Sequence, residues 1–334
     1  MTEPGDLRTL PDSLRSSASP GLRRFAVVGV ALFLDRVLGE PPAAWHPVVW
    51  MGRLTDELQA LRRPGSPPLE LLWGFYVAGV SVVAWGSLGR AAEQAAGRLP
   101  LPLGILGQAW LLKTMLSWKA LEDAAGRCAG DLEEGRLEAA REHLSWLVSR
   151  DRSDLSAEEA AAAAIESVAE NASDSLVAPI LSYCMGGLPG AAVYRAINTL
   201  DAMVGYHGEY EYAGKGPARL DDLVNYVPAR VTAAVLCLAT PRRLQAVRVA
   251  WQDHGRTESP NAGWPMAACA GALGIRLTKR GHYTVNAAGQ NPGPSHVRGA
   301  TRLLRICALG SVAAAAVLLL PSLRLGGRRS GGPT

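Results

Sequence analysis

Residues 175–194 read SLVAPILSYCMGGLPGAAVY, an uncharged run of 20 residues. About 20 apolar residues cross the hydrocarbon core of a bilayer as a helix, so this run is a candidate membrane segment. A continuous helix is not expected through GGLPG at 186–190, because glycine and proline both destabilise a helix interior. Broken backbone at membrane depth is tolerated only where protein or a water-filled cavity covers it. The run therefore predicts either a re-entrant segment that lines a cavity or two short helices joined by a surface turn.

Two further uncharged runs have the length of a span, 19 residues at 71–89 and 18 residues at 306–323. Weaker apolar runs lie at 25–34, 99–112 and 231–241. The mean hydropathy of +0.07 averages these runs with distinctly polar stretches, and the composition excludes a disordered chain, a collagen-like chain and a disulfide scaffold. We predict an all-α, polytopic integral membrane protein with about four to six spans, a helical water-soluble insert and a broken or re-entrant helix.

The alternation of polar and apolar stretches divides the chain into six segments. A capping box, Ser156 with Glu159, predicts that a helix starts within residues 113–174. The segments are a flexible tail (1–24), membrane helices (25–112), a soluble helical insert with an acidic motif (113–174), a broken membrane segment with polar motifs (175–302), a C-terminal membrane helix (303–323) and a second tail (324–334).

The basic residues are scattered, 34 Lys and Arg against 30 Asp and Glu, which favours loops beside a lipid bilayer over a nucleic-acid surface. The polar stretches 113–174, 195–230 and 242–256 are all basic enough to prefer the cytoplasm, although simple alternation across full spans cannot place them all there. A re-entrant 175–194 segment would resolve the conflict. We expect a multi-pass protein of the cell (inner) membrane with its active site facing the cytoplasm. The five widely separated cysteines predict buried thiols and neither a zinc site nor a redox pair.

Glu166, Glu170 and Asp174 are spaced one helical turn apart on one face of the predicted helix. Carboxylates at this spacing repel one another, and a charged ligand or Mg²⁺ would offset the repulsion. The alternative is a solvated acidic face paired with Arg150 or Arg152, which the spacing alone favours. The acids nevertheless adjoin the broken apolar run, where acidic residues at a membrane edge are candidates for function.

In residues 194–206 and 218–230, charged and amide side chains alternate with apolar ones beside predicted membrane helices. Half-buried polar groups need partners, so these side chains either satisfy one another or hold a polar ligand. Asp221 and Asp222 with Asn225 suit a metal or an amine, and the arginines of the two stretches suit phosphate or carboxylate.

Several motifs follow one another in the chain. They are 34–53 (LDRVLGEPPAAWHPVVWMGR), 148–151 (VSRD), 166–174 (ESVAENASD), 194–205 (YRAINTLDAMVG), 218–230 (ARLDDLVNYVPAR) and 259–265 (SPNAGWP). In this order they resemble the adenosylcobinamide-phosphate synthase, or cobinamide synthase, family of integral membrane proteins in cobalamin biosynthesis. The resemblance runs from residue 34 to about residue 283.

The resemblance implies an acid–amine ligase. It would join aminopropanol or aminopropanol phosphate to the propionate carboxyl of adenosylcobyric acid, giving adenosylcobinamide or its phosphate. ATP and Mg²⁺ are the implied co-substrate and metal, because an amide formed from a free carboxylate needs activation. Besides the lipid bilayer and these substrates, other enzymes of the corrinoid pathway are potential partners.

Chemistry suggests roles for the residues that the resemblance marks. The predicted catalytic residues are Glu166, Glu170, Asp174, Asp221 and Asp222, of which the first three are also the predicted Mg²⁺ ligands. The predicted substrate-binding residues are Arg150, Asn171, Arg195, Asn198, Asp201, Arg219, Asn225, Arg230 and Asn261.

Two other classes of protein compete with a ligase. Secondary transporters also place broken helices beside acids and asparagines at their substrate sites. Against a transporter stand the absence of an internal repeat, the modest number of spans and the long polar insert. A regulatory membrane protein of the same fold is the second alternative, and an assay for the new amide separates all three.

Overall fold

A computed structural model describes residues 19–148, 151–205 and 208–326, with side chains through residue 319. The described elements are helices joined by short turns, with a single small hairpin of strands. The helices are α1 (Pro20–Leu38), α2 (Pro47–Ala60), α3 (Pro67–Gly97), α4 (Leu101–Lys113), α5 (Trp118–Glu133), α6 (Leu137–Leu144), α7 (Ala157–Ala172), α8 (Ala178–Val204), α9 (Lys215–Leu238), α10 (Arg243–Asp253), α11 (Gly263–Leu273) and α12 (Pro294–Gly326). Strands β1 (Leu277–Lys279) and β2 (Tyr283–Val285) pair antiparallel, with Leu277 opposite Val285. The all-α prediction is confirmed.

Three helical segments of the described residues are long and apolar enough to cross a membrane: Pro67–Gly97, Ala157–Val204 and Pro294–Leu319. The first two contain the apolar runs 71–89 and 175–194, and the third contains most of the run 306–323, which confirms the membrane character of the chain. The weaker runs fall in α1, α4 and α9. Helix α4 has 13 residues and is too short to span, while α1 and α9 carry several charges within the length that a span requires. The described part thus has fewer spanning helices than the predicted four to six.

Helix α8 is broken at Gly187, as the sequence predicts. Gly187 has φ 65° and ψ −156°, a conformation open essentially to glycine alone. The chain reverses there, because the Tyr194 hydroxyl donates to the Asp174 carbonyl (3.1 Å) and Arg195 Nη1 donates to Ser175 Oγ (3.3 Å). A straight helix would separate residues 20 apart by about 30 Å. Residues 174–195 therefore form a hairpin, called here the α8 hairpin, that enters the apolar layer and returns.

The α8 hairpin is held near its tip by contacts with α1 and α3. A Cβ atom added to Gly89 of α3 would lie 2.9 Å from Pro189 Cα, so the two backbones touch. Arg24 of α1 donates to the Cys184 carbonyl (3.1 Å). This contact excludes a free surface turn, and it leaves residues 113–174 and 195–230 at the same end of the apolar layer. The re-entrant alternative thus removes the conflict over positive charge for these two stretches.

The apolar helices run between two charged ends of the molecule. At the tip end, Arg23 at the start of α1 donates to the Ala96 carbonyl at the end of α3 (3.3 Å). At the opposite end, Lys113 at the end of α4 donates to the Gly39 carbonyl, and Arg305 of α12 pairs with Glu122 (2.5 Å). The polar motifs lie at this second end.

Helix α7 forms the centre of the core. The predicted capping box of Ser156 and Glu159 is present at its start, which confirms that prediction. Alanines along α7 are fully buried and share one apolar core with α1, α4, α5, α8, α11 and α12. Helix α7 therefore packs among the apolar helices. All five cysteines are buried and free, as predicted.

Candidate active site

A cavity of about 540 Å³ opens where α7, the α8 hairpin, α9 and the turn before α11 meet. We call it the acidic cavity. Most of its polar lining comes from four of the sequence motifs, which are far apart in the chain. The motif residues that line it are Glu170, Asn171, Asp174, Asn198, Asp201, Asp221, Asn225, Ser259 and Asn261.

A line of hydrogen bonds fixes the α9 wall of the acidic cavity. Asn225 Nδ2 donates to Asp221 Oδ2 (2.9 Å), and Asn198 Nδ2 donates to Asp221 Oδ1 (3.3 Å). Asn225 Oδ1 in turn accepts from the Tyr194 hydroxyl (2.8 Å), and Asn198 Oδ1 accepts from Arg195 Nη1 (3.2 Å). Burial raises the pKa of the Asp221 carboxyl above its ordinary value, although the two amide donors favour the ionised form. Asp221 is thus held in a fixed position, and its pKa lies above that of an ordinary aspartate.

The same network continues onto the α7 wall. Ser175 Oγ accepts from Arg195 Nη1 (3.3 Å) and donates to Asn171 Oδ1 (3.0 Å). Asn171 Nδ2 donates to the Ser167 carbonyl (3.0 Å), and Ser167 Oγ donates to the Leu147 carbonyl (2.7 Å). One polar network therefore joins α7, both arms of the α8 hairpin and α9.

A π-helical turn at Ser173–Val177 joins α7 to α8. Such turns insert an extra residue and are frequent at functional sites. Glu170 and Asp174 line the acidic cavity on either side of the start of this turn. Glu166 lies instead in an adjoining cavity of about 190 Å³, which Glu170 and Lys279 also line. The predicted line of three acids is thus divided between two cavities.

Several predicted residues lie outside the acidic cavity. The Asp222 side chain pairs with Arg219 (3.6 Å), whose side chain is 81% exposed. Arg230 donates to Asn261 Oδ1 (3.0 Å) and lies 3.5 Å from the Tyr226 ring centroid. These three charged residues are therefore placed at the surface or behind the cavity wall. Arg150 lies outside the described residues.

A second cavity, of about 480 Å³, adjoins the acidic cavity. We call it the basic cavity, because Lys119, Arg127 and Arg195 line it. Both cavities share Asn171 and the exposed Trp146. Sequence reasoning missed Lys119, Arg127 and Trp146, since they lie in helical sequence without a recognisable motif. Glu40, which also lines the basic cavity, stands in the quoted 34–53 motif.

No group of three or more His, Cys, Asp and Glu residues is arranged to hold a metal ion in the part of the chain that the structure describes. The carboxylates of Glu170, Asp174 and Asp221 share a cavity without forming a ready-made site. The assignment of Mg²⁺ ligands stays a prediction.

Comparison with known proteins agrees with the motifs. A family model described as CobD/Cbib protein matches residues 28–304. The cobalamin biosynthesis protein CobD of Dehalococcoides mccartyi is 38% identical over 270 residues, which cover 77% of this chain and 84% of that protein. CobD of Photorhabdus laumondii is 41% identical over 259 residues, with 74% and 80% covered. CbiB of Salmonella choleraesuis is 38% identical over 268 residues, with 76% and 82% covered.

No solved structure matches the chain. The family model covers most of the residues from α1 to α12 and includes every motif that lines the acidic cavity. The resemblance seen in the sequence is confirmed. The chain belongs to the CobD/CbiB family, and its role is in cobalamin biosynthesis.

Proposed function

We propose that this protein is an acid–amine ligase. It joins aminopropanol or aminopropanol phosphate to the propionate carboxyl of adenosylcobyric acid, at the expense of ATP, to give adenosylcobinamide or its phosphate. One observation carries the proposal: acids and amides from four separate motifs line a single cavity at one end of the apolar helices. A large amphipathic corrinoid at the membrane edge can meet a small charged amine there.

The acidic cavity suits the amine. An ammonium group is held by charge-assisted hydrogen bonds to carboxylates, and Asp221 supplies one in this cavity. The ammonium must lose a proton before its nitrogen can attack an acyl group. Asp221 is the base that we favour, because its pKa is raised by burial and a base works best when its pKa lies near the operating pH.

Activation of the propionate follows the ordinary chemistry of such ligases. In the proposal a carboxylate oxygen attacks the γ-phosphorus of ATP, the bond from phosphorus to the ADP oxygen breaks, and ADP leaves with the electron pair. The amine nitrogen then attacks the acyl carbon, and phosphate leaves as the amide forms. Asn171, Asn198 and Asn225 would orient the reacting groups, since each is held by hydrogen bonds of the network.

Mg²⁺ fits the donor set of the acidic cavity. Mg²⁺ prefers oxygen ligands and usually takes one or two carboxylates, with waters and substrate phosphates completing its shell. Glu170 and Asp174 would supply those carboxylates, with Glu166 in the adjoining cavity. The metal would neutralise phosphate charge during the transfer.

We propose that the protein resides in the cell (inner) membrane with the acidic cavity facing the cytoplasm. The α8 hairpin leaves the basic stretches 113–174 and 195–230 at the end of the molecule that carries this cavity. An excess of Lys and Arg marks the cytoplasmic side of membrane proteins.

The test is amide formation by the purified protein in detergent with adenosylcobyric acid, either amine, ATP and Mg²⁺. We expect Glu170→Gln and Asp221→Asn to lower kcat at least about 100-fold, the usual contribution of a positioned acid or base. The matched controls Glu138→Gln and Asp154→Asn change exposed carboxylates and leave turnover unchanged; their side chains are 82% and 73% exposed.

Near-normal turnover in both cavity variants would refute the assigned roles. Binding or flux of corrinoid without product would favour the transporter. Family membership already argues against that alternative, because the relatives are named for biosynthesis.

A further inference from the structure

The basic cavity has the features of an anion-binding site. Three cations line it, Lys119, Arg127 and Arg195, against two carboxylates, Glu40 and Asp123. Its volume of about 480 Å³ is that of a small-molecule site. The polar wall that separates it from the acidic cavity includes Asn171.

Arg195 has unused hydrogen-bond capacity in this cavity. Its Nη1 donates to two neutral oxygens, Ser175 Oγ (3.3 Å) and Asn198 Oδ1 (3.2 Å). Its Nε is buried and has no hydrogen-bond partner. No carboxylate lies within 4 Å of the guanidinium among the residues described. A buried charge is costly unless it is paired, so this arrangement favours an anion beside Arg195.

The remaining charges of the basic cavity do not cancel Arg195. Glu40 pairs with His46 (2.8 Å), and Asp123 pairs with Lys119 (2.5 Å). Arg127 is exposed and makes no ion pair within the described ranges. Lys119 keeps further N–H donors beside its pair with Asp123, and Arg127 and Arg195 make no ion pair among the described residues, so all three can contact a ligand.

The start of α5 adds to the positive potential. Ser117 and residues 119–121 line the basic cavity at the N-terminus of this 16-residue helix. Helix N-termini carry partial positive charge and unsatisfied N–H groups, and they commonly bind phosphate. Asp35 Oδ2 accepts from the Lys119 N–H at this end (3.0 Å).

We propose that the basic cavity binds a phosphate group of the substrates, with Arg127, Arg195 and Lys119 as its receptors. This inference rests on the proposed ligase function and deepens it. The phosphate belongs either to the nucleotide or to aminopropanol phosphate. Asn171 then stands between a phosphate on one side and the ammonium on the other.

Binding measured by calorimetry on the full chain in nanodiscs tests the inference without turnover. The ligands are a non-hydrolysable ATP analogue with Mg²⁺, aminopropanol phosphate and aminopropanol. The variants are Arg127→Ala and Lys119→Ala. The matched controls are Arg248→Ala, another exposed arginine, and Lys215→Ala, which removes an i,i+4 pair with Glu211 like that of Lys119 with Asp123.

We expect Arg127→Ala and Lys119→Ala to weaken one phosphate ligand by about 10- to 100-fold, the worth of a hydrogen bond to a charged group. Aminopropanol binding and both controls should match the wild type. Weaker analogue binding identifies the nucleotide as the source, and weaker aminopropanol phosphate binding identifies the amine.

Unchanged affinity for both phosphate ligands, equal losses for aminopropanol, or no phosphate binding by the wild type would overturn the inference. An amide assay on the same wild-type preparation separates the two proposals. Product formation with unchanged phosphate affinities would refute the phosphate site alone. Charge-dependent nucleotide binding without product would refute the ligase alone.

Discussion

The contact between Asn225 and Asp221 makes a sharp prediction for the variant Asn225→Asp. Asn225 is 1% exposed, and its Nδ2 lies 2.9 Å from Asp221 Oδ2. The substitution keeps the shape of the side chain but replaces a donor with a second carboxylate. Two unit charges at this distance repel by about 6 kcal/mol at an effective dielectric constant of 20.

Protonation limits that penalty. Keeping one carboxyl of ordinary pKa about 3.9 protonated at pH 7 costs about 4 kcal/mol, so the pair shares a proton instead of bearing two charges. The pKa of the pair in the folded variant is then raised above its unfolded value. Stability is therefore fully kept below about pH 4 and is lost as pH rises, by about 1.4 kcal/mol per unit. The expected loss is about 1.5 kcal/mol at pH 5 and about 4 kcal/mol at pH 7.

Thermal unfolding in detergent at pH 4, 5, 6 and 7 measures this dependence. At about 2–4 °C per kcal/mol, Tm should fall by roughly 10 °C at pH 7 and by little at pH 4, relative to the wild type. The control Asn291→Asp makes the same chemical change beside Arg276 (2.5 Å) and should show no such loss. A deficit in Asn225→Asp that stays constant from pH 4 to pH 7 would contradict the argument.

Three further substitutions test the fold. Gly187→Ala should lower the free energy of unfolding by about 1–3 kcal/mol, because φ 65° and ψ −156° exclude a Cβ. The control Gly186→Ala should be neutral, because no atom lies near its added Cβ. Equal effects of the two substitutions in denaturant titrations would argue against a strained backbone at Gly187. Tyr194→Phe should cost about 1 kcal/mol and lower kcat/KM, because the hydroxyl links Asn225 to the Asp174 carbonyl, and the exposed Tyr76→Phe should do neither. Arg136 beside Asp131 (2.7 Å) holds the pKa of that carboxyl below its usual range, so Asp131→Asn should cost about 1 kcal/mol at pH 7. The cost should shrink as the pH falls through the lowered pKa, because the wild type then loses the same contribution; a cost that stays constant with falling pH would exclude the ion pair as its cause.

The features that depend on local sequence could be predicted. The break at 186–190 follows from glycine and proline, and the helix start at Ser156 follows from a capping box. The acidic and amide residues of the motifs were expected to share a site, because polar groups beside apolar helices need partners. Most of them do line the acidic cavity.

The features that depend on helix phase and long-range packing could not be predicted from the sequence. Asp221 and Asp222 are adjacent in sequence and point about 100° apart on a helix, so pattern alone does not say which faces the cavity. Lys119 and Arg127 join the site only because α5 packs beside α1 and α7. The π-helical turn at Ser173–Val177 divides Glu166 from Asp174, and it has no sequence signature.

The packing of the α8 hairpin against α1 and α3 implies an order in which the helices insert into the membrane. Residues 174–186 extend about 20 Å as a helix, which is about two thirds of the thickness of the hydrocarbon core. Their broken end is held by Arg24 and by the close approach of Gly89, both of which are synthesised long before the hairpin leaves the ribosome. We therefore expect α1 and α3 to insert into the bilayer first. The α8 hairpin would then insert against these two helices and not into lipid alone.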